Sequence, residues 1–200
     1  MNTVEPIKDM NKVLDIADYL KSRKSQYAQR DYMLWMSGIY LGIRISDLLK
    51  LKARDIRDKD TIYIREIKTG KENYIEIPTE FKTELQSYVR NKKDYEFLFQ
   101  SRETEKKKDN HGKLISLDKP LSRQQAYRII RNAAQRFGIE RTGTHTMRKT
   151  FGYFLYQRTK DIVLVKEILN HSDISVTRRY IGLTQDMKAG AVKAMSYRRK

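Results

Sequence analysis

Cysteine is absent from the 200 residues, which excludes disulfides, thiolate nucleophiles and Cys-ligated zinc or iron–sulfur centres together. A reducing compartment fits that absence. Long apolar runs are missing too: the longest, Met33 to Ile43, is 11 residues and carries Ser37, Gly38 and Gly42, against the roughly 20 needed to cross a bilayer. The opening MNTVEPIKDM holds no basic stretch followed by an apolar one, so no export leader is expected. With only 3 prolines and 9 glycines, none clustered into a linker, and no internal repeat, residues 1–200 read as a single domain.

Positive charge is what the chain has in excess. It carries 42 Lys and Arg against 25 Asp and Glu, a formal net charge of +17. Residues 1–100 hold 19 basic and 16 acidic side chains, whereas residues 101–200 hold 23 and 9, so a polyanion should meet the second half. A merely soluble basic surface is the plain reading; without a membrane-anchoring segment, nucleic acid is the favoured one. Each neutralised phosphate releases counterions, so such binding is salt-sensitive. The 39% of apolar residues is enough for a real core.

Periodicity predicts a mainly α chain with one small antiparallel β-hairpin, an α+β class. Val13, Ile16, Ala17 and Leu20 recur at helical spacing, as do Leu34, Trp35, Gly38 and Leu41 within Tyr27–Leu41. Ser46 is placed to cap a short helix over Asp47–Lys50, with the carboxylate of Asp47 in its first turn and Arg44 just ahead. The alternating stretches Thr61–Ile67 and Asn73–Ile77 make a hairpin with Lys68 and Lys71 at its tip. Pro78 ends it, and Thr79 opens a helix to about Arg90. Arg102–Lys113, without periodicity, reads as an exposed loop whose lysines are simply solvated. Ser122 to Gln125 is a capping box, Thr144 is placed to cap a helix from His145 to about Arg158, and further helices begin near Asp161 and Ser172. The chain closes with an apolar-striped segment, Thr184–Met195, and a basic tail.

Taken singly, the chemistry-bearing groups are unremarkable. His145 and Arg148, three apart, share a helix face, but in an Arg-rich chain that pairing arises readily by chance. Arg44 before a helix reads as a salt-bridge partner, lysines at a hairpin tip as solubilising edge charges, and Tyr180 as one of 13 tyrosines.

Their order and spacing change the reading. Arg44, Lys68 on a hairpin, His145-Thr146-Met147-Arg148, and Leu169-Asn170-His171-Ser172 leading to Tyr180 resemble the catalytic set of the tyrosine recombinases, the phage integrase family. The resemblance runs from about residue 7 to 185. It implies the recombinase catalytic-domain fold, double-stranded DNA as substrate, and cutting and rejoining of strands through a 3′-phosphotyrosine without metal, cofactor or ATP. It also implies a role for each residue. Tyr180 would be the nucleophile, Arg44 and Arg148 the clamps on the phosphate oxygens, and Lys68 the acid for the leaving 5′ oxygen. His145 would take the phenol proton, and His171 would bond the phosphate or assist proton transfer. Guanidinium forks suit phosphate because they donate two parallel bonds and keep their charge, and a phenol of ordinary pKa about 10 needs cationic neighbours and a base. Lys71 is the rival of Lys68 for the acid.

The departures are mild. Asp47 stands where the family usually has Glu, Lys149 follows Arg148 where His is frequent, and Asn170 replaces a common Gly. The larger one is at the front, where the expected catalytic part begins almost at Met1 and an N-terminal DNA-clamping domain is not expected; small invertase-like members that switch bacterial fimbrial promoters share that layout. The resemblance further implies a homotetramer on DNA, with residues 184–200 exchanged between protomers, DNA-bending accessory proteins, and a cytoplasmic, nucleoid-associated existence in a bacterium, phage or mobile element. A type IB topoisomerase-like relaxer and a catalytically weak DNA-binding regulator are the alternatives.

Overall fold

The computed structural model describes residues 4–108, 114–182, 192, 193 and 195, with backbone alone at 107, 108 and 114–116. Along these residues the order is α1 (Met10–Ser22), α2 (Ala28–Leu41), α3 (Ile45–Leu48), a 3-10 turn (Ala53–Asp55), β1 (Thr61–Arg65), β2 (Glu72–Glu76), α4 (Thr79–Val89), β3 (Gln100–Lys108), β4 (Leu114–Pro120), α5 (Arg123–Gln135), α6 (Thr146–Thr159), α7 (Ile162–Ile168) and α8 (Ile174–Tyr180). No helix among them is long and apolar enough to cross a membrane.

α1 is held by the Asp9 carboxylate, which accepts from the Asn11 amide at 2.9 Å, and buries the stripe Val13, Ile16, Ala17 and Leu20. That stripe lies on α2, which is buried on nearly every side and runs through the middle of the main core. Trp35, fully buried, satisfies its indole N–H on the Val13 carbonyl at 3.0 Å. α6 crosses α2 where Gly38 leaves room: a Cβ there would sit 2.4 Å from the Met147 sulfur. A smaller second core gathers Val165, Leu169 and Ile181 against Phe151, Leu155, Ile162 and Tyr180, so the C-terminal helices pack on one face of α6.

Two antiparallel two-stranded sheets complete the fold. β1 pairs with β2 in the register Thr61↔Glu76 to Arg65↔Glu72, and its inward residues Ile62 and Ile64 are buried. β3 and β4 correct the expectation of a loop over 102–113. They pair from Gln100↔Pro120 to Lys108↔Leu114, with an irregularity between Gln100 and Thr104. The described side chains of Arg102 to Lys106 are exposed, so this ribbon has no buried face there and no alternation for a pattern reader to find. It is rooted by buried Phe99 and Leu121, whose backbones bond at 2.7 Å, and carries a Lys119–Glu103 ion pair at 3.1 Å. Residues 109–113 of the expected loop, and most of the closing segment 184–200, lie outside the described residues.

The caps also differ in detail. α3 begins at Ile45 with Arg44 at its N-cap and no side-chain cap from Ser46, and Asp47 is turned inward. α6 begins at Thr146, and it is the Thr146 hydroxyl, not that of Thr144, that takes the Gly143 amide at 2.9 Å. α8, expected to begin near Ser172, begins at Ile174 with Asp173 as its cap. The Ser122–Gln125 capping box forms as read.

Candidate active site

Four separate devices bring the site together. The first is the end of α2. Gly42 adopts a left-handed φ of 60° as the C-cap, and a Cβ there would meet the Phe151 ring at 2.3 Å, so only glycine fits. The tight exit turns the Gly42 carbonyl toward α6, where the Arg148 Nη1 donates to it at 2.7 Å. Nη2 of the same guanidinium donates to the Leu169 carbonyl at the end of α7. Arg148 is thus buried, 3% exposed, and fixed by two backbone oxygens instead of a carboxylate, which leaves its positive charge uncancelled by those partners.

The second device is the N-cap of α3, which carries Arg44. Its guanidinium pairs with the carboxylate of Glu66, a buried side chain just beyond β1. Glu66 also accepts from the Thr69 hydroxyl at 2.6 Å, and its carbonyl takes the Gly70 amide at 2.8 Å, so the same residue shapes the turn that bears Lys68. Asp47, buried, accepts the Ile67 amide at 2.9 Å and ties α3 to this turn. Desolvation raises the Asp47 pKa, the Ile67 amide opposes that rise, and Glu66 adds to it. Lys68 itself is exposed, yet its ammonium acts on His145.

The third device is the start of α6. His145 is its N-cap residue, and its Nδ1 lies 3.2 Å from the Tyr180 hydroxyl. Desolvation first, then Arg148, Lys149, Arg123 and Lys68, depress its pKa below 6.5, so the ring is neutral near pH 7 and free to accept a proton.

The fourth is the pair α7–α8. Asn170, at a positive φ of 49°, turns the chain so that the His171 amide closes on the Lys166 carbonyl. His171 bonds through Nδ1 to the buried Thr177 hydroxyl at 3.0 Å and meets the Tyr180 ring edge to face at 4.9 Å. Burial, then Arg148 and Arg44, push its pKa down to about 4. Tyr180 ends α8 and packs on the second core. Burial raises its pKa, while Arg148 and Arg44 pull the other way. The phenol is therefore protonated at rest, beside a neutral imidazole.

Arg44, His145, Arg148, His171 and Tyr180, which span 137 positions of sequence, thus face one another, and Lys68 stands on the adjoining turn. Sequence reasoning passed over Glu66 and Thr177. For Glu66 the signal was present: in the alternation Ile62, Ile64, Glu66 an acid occupies an inward position. Thr177 had no such mark. A half-buried phenol beside a neutral imidazole, with two fixed guanidiniums acting on it, can support phosphoryl transfer to a tyrosine oxygen.

The chain belongs to the phage integrase family, whose model matches residues 7–187. It is 42% identical over 193 residues to the probable integrase/recombinase YoeC of Bacillus subtilis (strain 168), covering 96% of this chain and 97% of that one. Tyrosine recombinase XerA of Pyrococcus furiosus is 31% identical over 157 residues, 78% of this chain and 51% of its own length. The chain thus spans nearly all of the first relative and about half of the second. Among solved structures, XerA recombinase superposes with a TM-score of 0.69 at 20% identity, over 96% of this chain and 65% of that one. The catalytic domain of bacteriophage HP1 integrase gives 0.56 at 19%, over 95% of both. The fold is that of the recombinase catalytic domains, and the chain is a tyrosine-type recombinase.

Proposed function

We propose that this protein cuts and rejoins double-stranded DNA at specific sites through a 3′-phosphotyrosine on Tyr180, its described residues acting as one catalytic domain. The Tyr180 oxygen attacks phosphorus as its proton passes to His145; the bond from phosphorus to the 5′ oxygen breaks, and that oxygen takes a proton from Lys68. Arg44 and Arg148 hold the non-bridging oxygens, and His171, neutral and oriented by Thr177, bonds one of them. A 5′ hydroxyl from a second duplex reverses the step, so bond energy is retained without ATP. The single observation that supports this most is the phenol of Tyr180 set among His145, His171 and Arg148.

Exchange between duplexes requires several protomers on DNA. The reading is a homotetramer joined by residues 184–200, helped by DNA-bending proteins, working on the chromosome or a mobile element in the cell interior. Family membership favours exchange over supercoil relaxation or a purely regulatory role.

The test is covalent adduct formation on a nicked suicide duplex in EDTA. Wild type forms the adduct; Tyr180→Phe forms none; Arg44→Ala and Arg148→Ala slow it roughly 100-fold to 1,000-fold while DNA affinity changes little. Equal binding without adduct in wild type and Tyr180→Phe overturns the proposal in favour of a regulator. A 5′-bridging phosphorothiolate, whose leaving group needs no acid, restores Lys68→Ala; restoration of Lys71→Ala alone reassigns the acid.

A further inference from the structure

Lys149 follows Arg148 on α6, and its side chain does two things at once. Its Nζ donates to the Val4 carbonyl at 2.7 Å, and it stands 5.2 Å from the centre of the Tyr180 ring. The segment ahead of α1 that supplies this carbonyl is pinned at several further points. Glu5 bonds through its amide to the Arg141 carbonyl at 3.2 Å and through its carboxylate to the Arg141 guanidinium at 2.8 Å. Ile7 is buried, and its amide donates to the Thr150 hydroxyl at 2.9 Å. Pro6 packs beside Gly182, two residues past Tyr180, where a Cβ would meet its ring at 3.5 Å. The strap Val4–Ile7 therefore touches Lys149 and Thr150 of α6, Arg141 ahead of that helix, and the turn that follows the nucleophile's helix.

We infer that Lys149 is a positioning residue that holds the Tyr180 ring in the site, and that the strap Val4–Ile7 holds Lys149. The inference rests on Tyr180 being the nucleophile. An ammonium facing an aromatic ring is attracted to its negative face, and this ammonium keeps one of its three donors on a fixed carbonyl, so it has little freedom to leave the ring. α8 is only two turns long and ends at Tyr180, so its own hydrogen bonds give the phenol little restraint. Arg148 and Arg44 favour the ionised phenol, against the rise that burial causes. Lys149 thus sets where the ring lies.

The consequence is a contact between the segment before α1 and the attacking oxygen. Whatever pulls on that segment would loosen the phenol while Arg44, Arg148 and His171 stayed assembled.

The experiment uses the full chain and two reactions. In adduct formation on a nicked duplex, Lys149→Met is expected to be about 10-fold slower than wild type and Lys149→Arg within about 3-fold of it. In strand joining to a DNA 3′ end that carries p-nitrophenyl phosphate, the aryl ester stands in for the tyrosine ester and Tyr180 is not needed. There, Lys149→Met in a Tyr180→Phe background joins as fast as Tyr180→Phe alone. Deleting residues 1–5, which leaves no carbonyl at position 4 even with an initiating methionine, matches the loss in Lys149→Met, and combining the two adds nothing further. An unchanged adduct rate in Lys149→Met, an equal loss in both reactions, or multiplying losses in the combined variant overturns the inference. Adduct formation by Tyr180→Phe instead overturns the nucleophile assignment on which it rests.

Discussion

At the residue scale, the site is governed by which charges are cancelled and which are not. Arg148 is held by two carbonyls and has no carboxylate paired with it directly, whereas Arg44 is paired with Glu66. Removing Glu66 leaves a largely buried guanidinium without its partner. Glu66→Ala should lose about 3 kcal/mol of unfolding free energy in urea titration, and Glu66→Gln, which retains an acceptor for Thr69, less. Stability equal to wild type in Glu66→Ala would show the pair to be dispensable. The two imidazoles set the acid limb of the reaction. His145 must be neutral to accept the phenol proton and its pKa is depressed, so the cleavage rate should hold steady down to below pH 6.5 and fall only at more acid values. A limb centred above 6.5 contradicts this. That these residues would converge was legible in the sequence, because family order and spacing marked them. Glu66 was visible only as an acid at an inward strand position, and Thr177 was not visible at all.

At the element scale, α3 and the β1–β2 turn act as one piece because Asp47 accepts the Ile67 amide. Asp47→Ala frees that amide, and the turn bearing Lys68 should loosen. Hydrogen exchange at Ile67 should rise, and adduct formation should fall by about 10-fold with little change in DNA affinity. Unchanged protection would mean the turn is held elsewhere. The helices α1, α2, α4 and α5 were legible from apolar spacing, since each buries a stripe on the main core. The β3–β4 ribbon was not, because its described side chains from Arg102 to Lys106 are exposed, and strands joined by backbone pairing and surface polar contacts leave no mark in hydropathy. Helix starts were harder to place: Thr144 was expected as a cap where the Thr146 hydroxyl takes the Gly143 amide, and α8 begins at Ile174, two residues after the expected start near Ser172.

At the scale of the whole molecule, the excess of positive charge and the half-buried His171 each have a consequence in solution. DNA affinity should fall steeply with added salt, linearly in a log–log plot; a flat dependence would remove phosphate contacts from the account. His171 has a folded pKa of about 4 against 6.5 ordinarily, so the unfolded chain takes up a proton that the folded one refuses. Its contribution to stability is complete above pH 6.5 and is lost as pH falls through the window from 6.5 to about 4, with a slope of at most about 1.4 kcal/mol per pH unit. His171→Gln should flatten that part of the curve; an unaltered slope would place the titration elsewhere.

The most direct measurement is to digest the trapped protein–DNA adduct and identify both the linked peptide and the attached DNA end by mass spectrometry. The account requires the peptide containing Tyr180, one of 13 tyrosines in the chain, joined to a 3′ phosphate with a free 5′ hydroxyl on the released strand. A link to any other tyrosine, or to a 5′ phosphate, would contradict it.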